Sequence, residues 1–171
     1  MIYNFSLIFR LYEPPSKMDA MIEKMAQAGC DDAMVGIGHS GRIALEFDRE
    51  ANSAMDAVNS AKRDVESALP DAELIEATPD LVGLTEIAEI AGISRQALRK
   101  LMQSRHDFPR PAHCGNPSLW HLAPMLDWLD QEGRYKVPEA LRAISRQTLR
   151  LNTQIQNQQA QVYAPPQTAT A

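Results

Sequence analysis

The sequence predicts an α+β chain: a mixed first half, a small helical module behind it, and a C-terminal helix. Three observations lead there. Strand-period and helix-period segments follow one another in the order βαββαβ up to residue 79, the balance of charge changes sign near Asp80, and a glycine beyond that point separates two short amphipathic runs. With 171 residues, 44% of them hydrophobic, the chain can bury a core in each half.

Residues 2 to 11 alternate, with Tyr3, Phe5, Leu7, Phe9 and Leu11 on one face and Asn4, Ser6 and Arg10 on the other, as in a half-buried strand. Pro14 and Pro15 interrupt it, Ser16 is placed to cap a helix, and Met18, Met21, Ile22 and Met25 recur at helical spacing until Gly29. The segments AMVGIG (33–38) and RIALEF (42–47) flank His39-Ser40-Gly41, a tight-turn composition, and predict a hairpin. A second helix is expected from about Asn52 to Leu69, with Met55, Val58, Ala61, Val65 and Leu69 on one stripe and Pro70 beyond its end. AELIEA (72–77) supplies a last strand. This order suits an antiparallel sheet with both helices on one face, the ferredoxin-like plait, because each βαβ crossover must return right-handed to the same sheet.

Residues 1–79 are therefore read as one domain, residues 80–134 as a second and mostly helical one reached through Thr78-Pro79-Asp80, and residues 135–171 as a helix and tail. Beyond Val137, the positions Leu141, Ile144, Thr148, Leu151, Ile155 and Val162 fall at spacings of three and four, with Gln158 interrupting. Such a seam is expected to join two copies in a homodimer. After Tyr163 the Ala, Pro and Thr residues offer little to bury, and a disordered tail is expected.

The overall net charge of −5 conceals two opposite modules. Residues 1–80 hold 7 Lys+Arg against 15 Asp+Glu, net −8, and residues 81–171 hold 10 against 7, net +3. A basic second half facing nucleic acid, with an acidic first half kept away from phosphates, is consistent with that division. The chain has no 18-residue apolar run and its start, MIYNFSLIFRLYE, lacks the charge and cleavage pattern of a signal peptide, so a cytoplasmic protein without a membrane partner is expected. Cys30 and Cys114 fit no CxxC pattern and are read as free thiols. His106, His113, Cys114 and His121 match no common zinc spacing, and Asp31, Asp32 and His39 are ordinary turn formers, so neither a metal nor a cofactor is expected. With no nucleophile–base arrangement and no phosphate-binding glycine loop, an enzyme is not expected either.

From Leu84 to Met102 the chain reads LTEIAEIAGISRQALRKLM, a helix-turn-helix in which each position has a mechanical reason. Thr85 is placed to cap the first helix, Ile87 and Ala91 face inward, Ala88 is small where the helices cross, and Gly92 permits a positive φ in the turn. Ile93 plugs the corner and Ser94 caps the second helix. Leu98, Leu101 and Met102 turn inward, which leaves Arg95, Gln96, Arg99, Lys100 and Gln103 outside as donors for phosphates and base edges. The following FPRPAHCGNPSLWHLAPMLDWL has extended, proline-marked residues, a Gly115-Asn116 turn and a further helix expected from Pro124, and so predicts a wing. Trp120 and Trp128 are read as core aromatics.

These residues, from Leu84 to about Leu129, resemble the winged helix-turn-helix of AlpA-like phage regulators and excisionases within the MerR-like group. The resemblance rests on the GISRQALRKLM run, the FPRP element, Gly115, and the spacing of Trp120 to Trp128-Leu129. It implies a recognition helix from Ser94 to Met102 in the major groove and a hairpin from Pro111 to Trp120 against an adjacent backbone or minor groove. Family wings carry several arginines where this one has His113, Asn116, Pro117, Ser118 and Leu119, so Arg105 or Arg110 would have to supply contacts beside the recognition helix. The implied function is a double-stranded DNA-binding transcriptional regulator of phage or mobile-element type, with Ser94, Arg95, Gln96, Arg99, Lys100, Arg105, Arg110, His113 and Asn116 at the interface. Two other readings stay open: an antitoxin or adaptor whose acidic first domain sequesters a basic protein while DNA binding serves autoregulation, and an excisionase-like architectural role marked by DNA bending.

Overall fold

In the computed structural model, which describes residues 1–12, 18–38, 41–133 and 135–164, four strands form one antiparallel sheet: β1 (Ile2–Arg10), β2 (Ala33–Ile37), β3 (Arg42–Glu50) and β4 (Glu73–Thr78). Their order across the sheet is β2-β3-β1-β4. The Pro14-Pro15 break, the Ser16 cap, the His39-Ser40 part of the turn and the tail beyond Ala164 lie outside the described residues. The alternation of β1 sets one face of the sheet, because Phe5 lies opposite Phe47, Leu7 opposite Leu45 and Phe9 opposite Ile43, all buried. The Phe5 and Phe47 rings stack with centroids 5.3 Å apart.

Helices α1 (Met18–Gln27) and α2 (Ala54–Ala68) pack on that face. Ser53 caps α2 through its Oγ, which accepts from the Asp56 N–H at 3.1 Å. The buried stripe of α2 is Ala54, Ala57, Val58, Ala61 and Val65, and Met55, expected inside, is 54% exposed. Alanines let the helix backbone lie close to the sheet, and the rotation that buries them turns Met55 outward. Ile22 of α1 is likewise exposed, whereas Met21 and Met25 enter the core.

A third helix, α6 (Glu139–Val162), lies against β4, β1 and α2 and also against α5 (Leu122–Gln131). The seam expected to face a second copy is thereby corrected: Ile144 and Thr148 are fully buried, Leu141 and Leu151 pack on the chain's own cores, and Val162 is left 79% exposed. Asn152, also on this helix, is buried and closes the β4 edge. Its Oδ1 accepts from the Ala77 N–H at 2.8 Å, while its Nδ2 donates to the Ala77 carbonyl at 2.8 Å and to Asp80 Oδ2 at 2.7 Å. A primary amide reproduces a peptide's donor and acceptor, so it stands in for a neighbouring strand.

The turn-rich boundary at Asp80 is a buried junction. Its Oδ1 meets His121 Nδ1 at 2.7 Å, its carbonyl accepts from the Leu122 N–H at 2.7 Å, and the Thr148 hydroxyl donates to the Pro79 carbonyl at 2.6 Å. Leu141 touches both hydrophobic cores, so α6 ties the two halves together. Replacing Asn152 with alanine leaves Ala77 and one oxygen of Asp80 unpaired in a buried place, and a loss of about 2–3 kcal/mol is expected. The chain's two tryptophans, Trp120 and Trp128, both belong to the second core. In Asn152→Ala, their fluorescence and the far-UV dichroism should report separate denaturant transitions in place of a shared one.

The second core gathers Val82, Ile87, Ala88, Leu98, Trp120, Leu122, Met125, Leu126, Trp128 and Leu129. Strands β5 (Leu81–Val82) and β6 (Trp120–His121) pair antiparallel at its rim. The last helix of this half, α5, begins at Leu122, so Pro124 sits within its first turn and does not open it. Among the described residues no helix is long and apolar enough to cross a membrane.

Candidate nucleic-acid interface

Helices α3 (Leu84–Ala91) and α4 (Arg95–Ser104) meet at Gly92, whose φ of +66° places it in the left-handed region that side chains disfavour. The reversal is closed by the Ile93 N–H donating to the Ala88 carbonyl at 2.9 Å. Gly83 caps α3, correcting the assignment to Thr85: the Glu86 carboxylate reaches back to accept from the Gly83 N–H at 2.8 Å, and Thr85 is an exposed first-turn residue. Ser94 caps α4, its Oγ accepting from the Ala97 N–H at 3.2 Å. Leu98 is fully buried and Leu101 and Met102 half-buried, so one face of α4 holds the core and the other is free.

That free face carries Arg95, Gln96, Arg99, Lys100 and Gln103, all exposed. Among the described residues no carboxylate pairs with Arg95, Arg99, Lys100 or Arg110, although Arg49, Arg105, Arg142 and Arg146 each hold an acid. Helix α4 itself contains no Asp or Glu. Its cations are therefore balanced only by solvent and counterions, the condition in which a polyanion displaces those ions at low cost.

The chain after α4 doubles back at residues 112–119. Ala112 and His113 N–H groups donate to the Leu119 carbonyl at 2.8 and 3.2 Å, Leu119 N–H returns to the His113 carbonyl at 3.0 Å, and Ser118 Oγ donates to the Gly115 carbonyl at 3.1 Å. Between this hairpin and α4 runs a cleft of about 730 Å³ that brings Arg95, Arg99, Arg110 and Asn116 together. Gln96, Lys100 and His113 are exposed but lie off that cleft.

Arg105 is the exception among the expected contacts. Its Nε and Nη2 donate to Asp107 at 2.8 Å each, its Nη1 and Nη2 donate to Glu132 at 3.0 and 2.6 Å, and its guanidinium lies over the Trp128 ring. The guanidinium is engaged internally and fastens the end of α4 to the end of α5, so it is a clamp and not a free cation. Sequence reading missed this arrangement because Glu132 is distant in the chain, although Arg105-x-Asp107 was a local signal. The ring of Phe108 sits edge-on to both Trp120 and Trp128, and the indole N–H groups donate to the Pro109 carbonyl and to Asp107 at 3.1 Å each.

The Arg105 guanidinium, and after it the Trp128 N–H, pull the Asp107 carboxyl down to about 2. This lies below an unfolded-chain value of about 3.9, so the charged form adds stability that is complete above that value and vanishes as pH falls through the folded one. Tryptophan fluorescence should therefore show an acid-induced loosening of the second half between pH of about 4 and 2 that is flatter in Asp107→Asn.

Among the described residues no three or more His, Cys, Asp or Glu side chains gather as a metal site, and His121 is held by Asp80. Asp32, read as a turn former, accepts from Arg49 Nε and Nη2 at 2.8 Å each. No family model, curated protein or solved structure matches the chain.

Proposed function

We propose that the chain is a sequence-specific double-stranded DNA-binding transcriptional regulator, a ferredoxin-like plait joined to a winged helix-turn-helix with α4 in the major groove. The observation that carries this reading is the outer face of α4, where Arg95, Arg99 and Lys100 stand exposed without acid partners beside a cleft shared with Arg110. Arginine and glutamine at the start of a helix that protrudes from a two-helix corner suit guanine and adenine edges, and the flanking cations suit phosphates. The acidic first sheet, fastened by α6, turns the basic module into the part a duplex would approach.

Selection from a random duplex pool is the direct test. One preferred sequence is expected, with binding that weakens as salt rises, each neutralised phosphate contributing a slope of ~0.9. A footprint of two half-sites roughly 34 Å apart would mark a bound pair of chains, and a single half-site one chain. If the full-length chain retains no duplex even at low salt, the reading is overturned.

A further inference from the structure

We propose that the outer edge of β2 accepts an extended, basic segment of another protein as an additional strand of the first sheet. This stands whether or not α4 binds DNA.

The two edges of the sheet are treated differently. At β4, Asn152 occupies the Ala77 backbone groups. At β2, the Gly38 N–H donates to the Arg42 carbonyl at 2.9 Å and the Asp48 N–H to the Asp32 carbonyl at 3.2 Å, which sets the phase of the ladder. Residues 32, 34, 36 and 38 bond to β3, so Ala33, Val35 and Ile37 direct their backbone groups outward. The Ala33 N–H is taken by the Cys30 carbonyl at 3.2 Å, and among the described residues nothing pairs with the outward groups of Val35 and Ile37. The strand AMVGI contains neither a charge nor a proline, the usual devices that keep an edge from pairing, and Met34 is 73% exposed.

The open face of the sheet states the chemistry of the occupant. Met34 lies opposite Glu46 and Gly36 opposite Ala44, and beyond them Asp48 and Glu50 continue β3 on the same side. The Gly36–Ala44 row is nearly flat, so a long cationic side chain from an added strand can lie across it towards Glu46. Among the described side chains of this face the cationic ones lie at the far end, where Arg42 stands and Arg10 lies 4.0 Å from Glu73. The occupant that fits has Lys or Arg at alternate positions over this face and apolar residues between them, level with Val35. A second copy fits poorly, because its β2 carries no cation and its own acidic face would lie beside this one.

The test uses the full chain with two short end-capped peptides, one of alternating lysine and valine and one of alternating glutamate and valine. Amide exchange is read at Val35 and Ile37, with far-UV dichroism and the thermal midpoint measured in parallel. The lysine peptide should slow exchange at both amides, Glu46→Gln should weaken it roughly two- to five-fold, and the glutamate peptide should have no effect. In Val35→Pro, which removes an outward donor and no ladder bond, peptide affinity should fall about ten-fold while the far-UV dichroism and the thermal midpoint stay close to those of the parent chain. Equal binding of both peptides, no protection by either, or protection that grows with protein concentration alone would each overturn the proposal, the last by assigning the edge to a second copy.

Discussion

Replacing Arg95 and Arg99 together with alanine is expected to weaken binding to the selected duplex by on the order of 100-fold, with a flatter salt dependence. Both side chains stand on the exposed face of α4 and line the same cleft as Arg110. Neither holds an acid of the described chain, so their removal leaves the fold intact. The thermal midpoint should hardly move. Arg105→Ala supplies the contrast: its guanidinium is committed to Asp107 and Glu132, so the variant should lose stability while the salt slope stays as it was. Unchanged affinity and preferred sequence in the double variant would remove α4 from the groove.

The largest stability effect is expected at Arg49, where alanine should cost about 3 kcal/mol in denaturant unfolding. This arginine lies on the inward side of β3, 7% exposed, with its guanidinium 4.9 Å from the Phe47 ring centre. Nε and Nη2 donate to Asp32, Nη1 to Asp64 at 2.6 Å and Ser60 at 3.1 Å, and Nη2 also to the Gly29 carbonyl at 2.7 Å. Those bonds hold its charge well above any accessible titration, led by the pairing with Asp32. Both aspartates keep access to water, which places the loss at the low end for a broken buried pair. Lysine should restore only part of the loss, since an ammonium cannot span Asp32, Asp64 and Gly29 at once. The neighbouring Cys30 thiol is pushed up to about 11, chiefly by burial and then by Asp64. Labelling of Cys30, slow beside that of exposed Cys114, should accelerate in Arg49→Ala as the Gly29–Asp32 turn loosens.

The legible parts of the molecule were those governed by local period. Alternation placed β1 and β3, Met18, Met21, Ile22 and Met25 at helical spacing placed α1, Val58, Ala61 and Val65 placed α2, and Gly92 with Ser94 placed the reversal between α3 and α4. The exposure of Arg95, Gln96, Arg99 and Lys100 was readable for the same reason, since a helix with Leu98, Leu101 and Met102 inside must turn those residues outward. Arg49 left a fainter trace. Its place in the sequence Ile43, Leu45, Phe47, Arg49 put a charge on the buried register of a strand, which calls for an internal acid without naming it.

By itself the sequence determined strands β1 to β4, helices α1 to α4, the turn between α3 and α4 and the opposite charge of the two halves, because each follows from residues a few positions apart. Tertiary structure alone decided where α6 lies, what Asn152 caps, and which arginines remain free. A helix with an apolar seam is equally satisfied by a second copy or by a sheet in its own chain, and an arginine is equally soluble or clamped until an acid arrives from a distant segment. Only the packing that brings β4 to Asn152 and Glu132 to Arg105 distinguishes those outcomes.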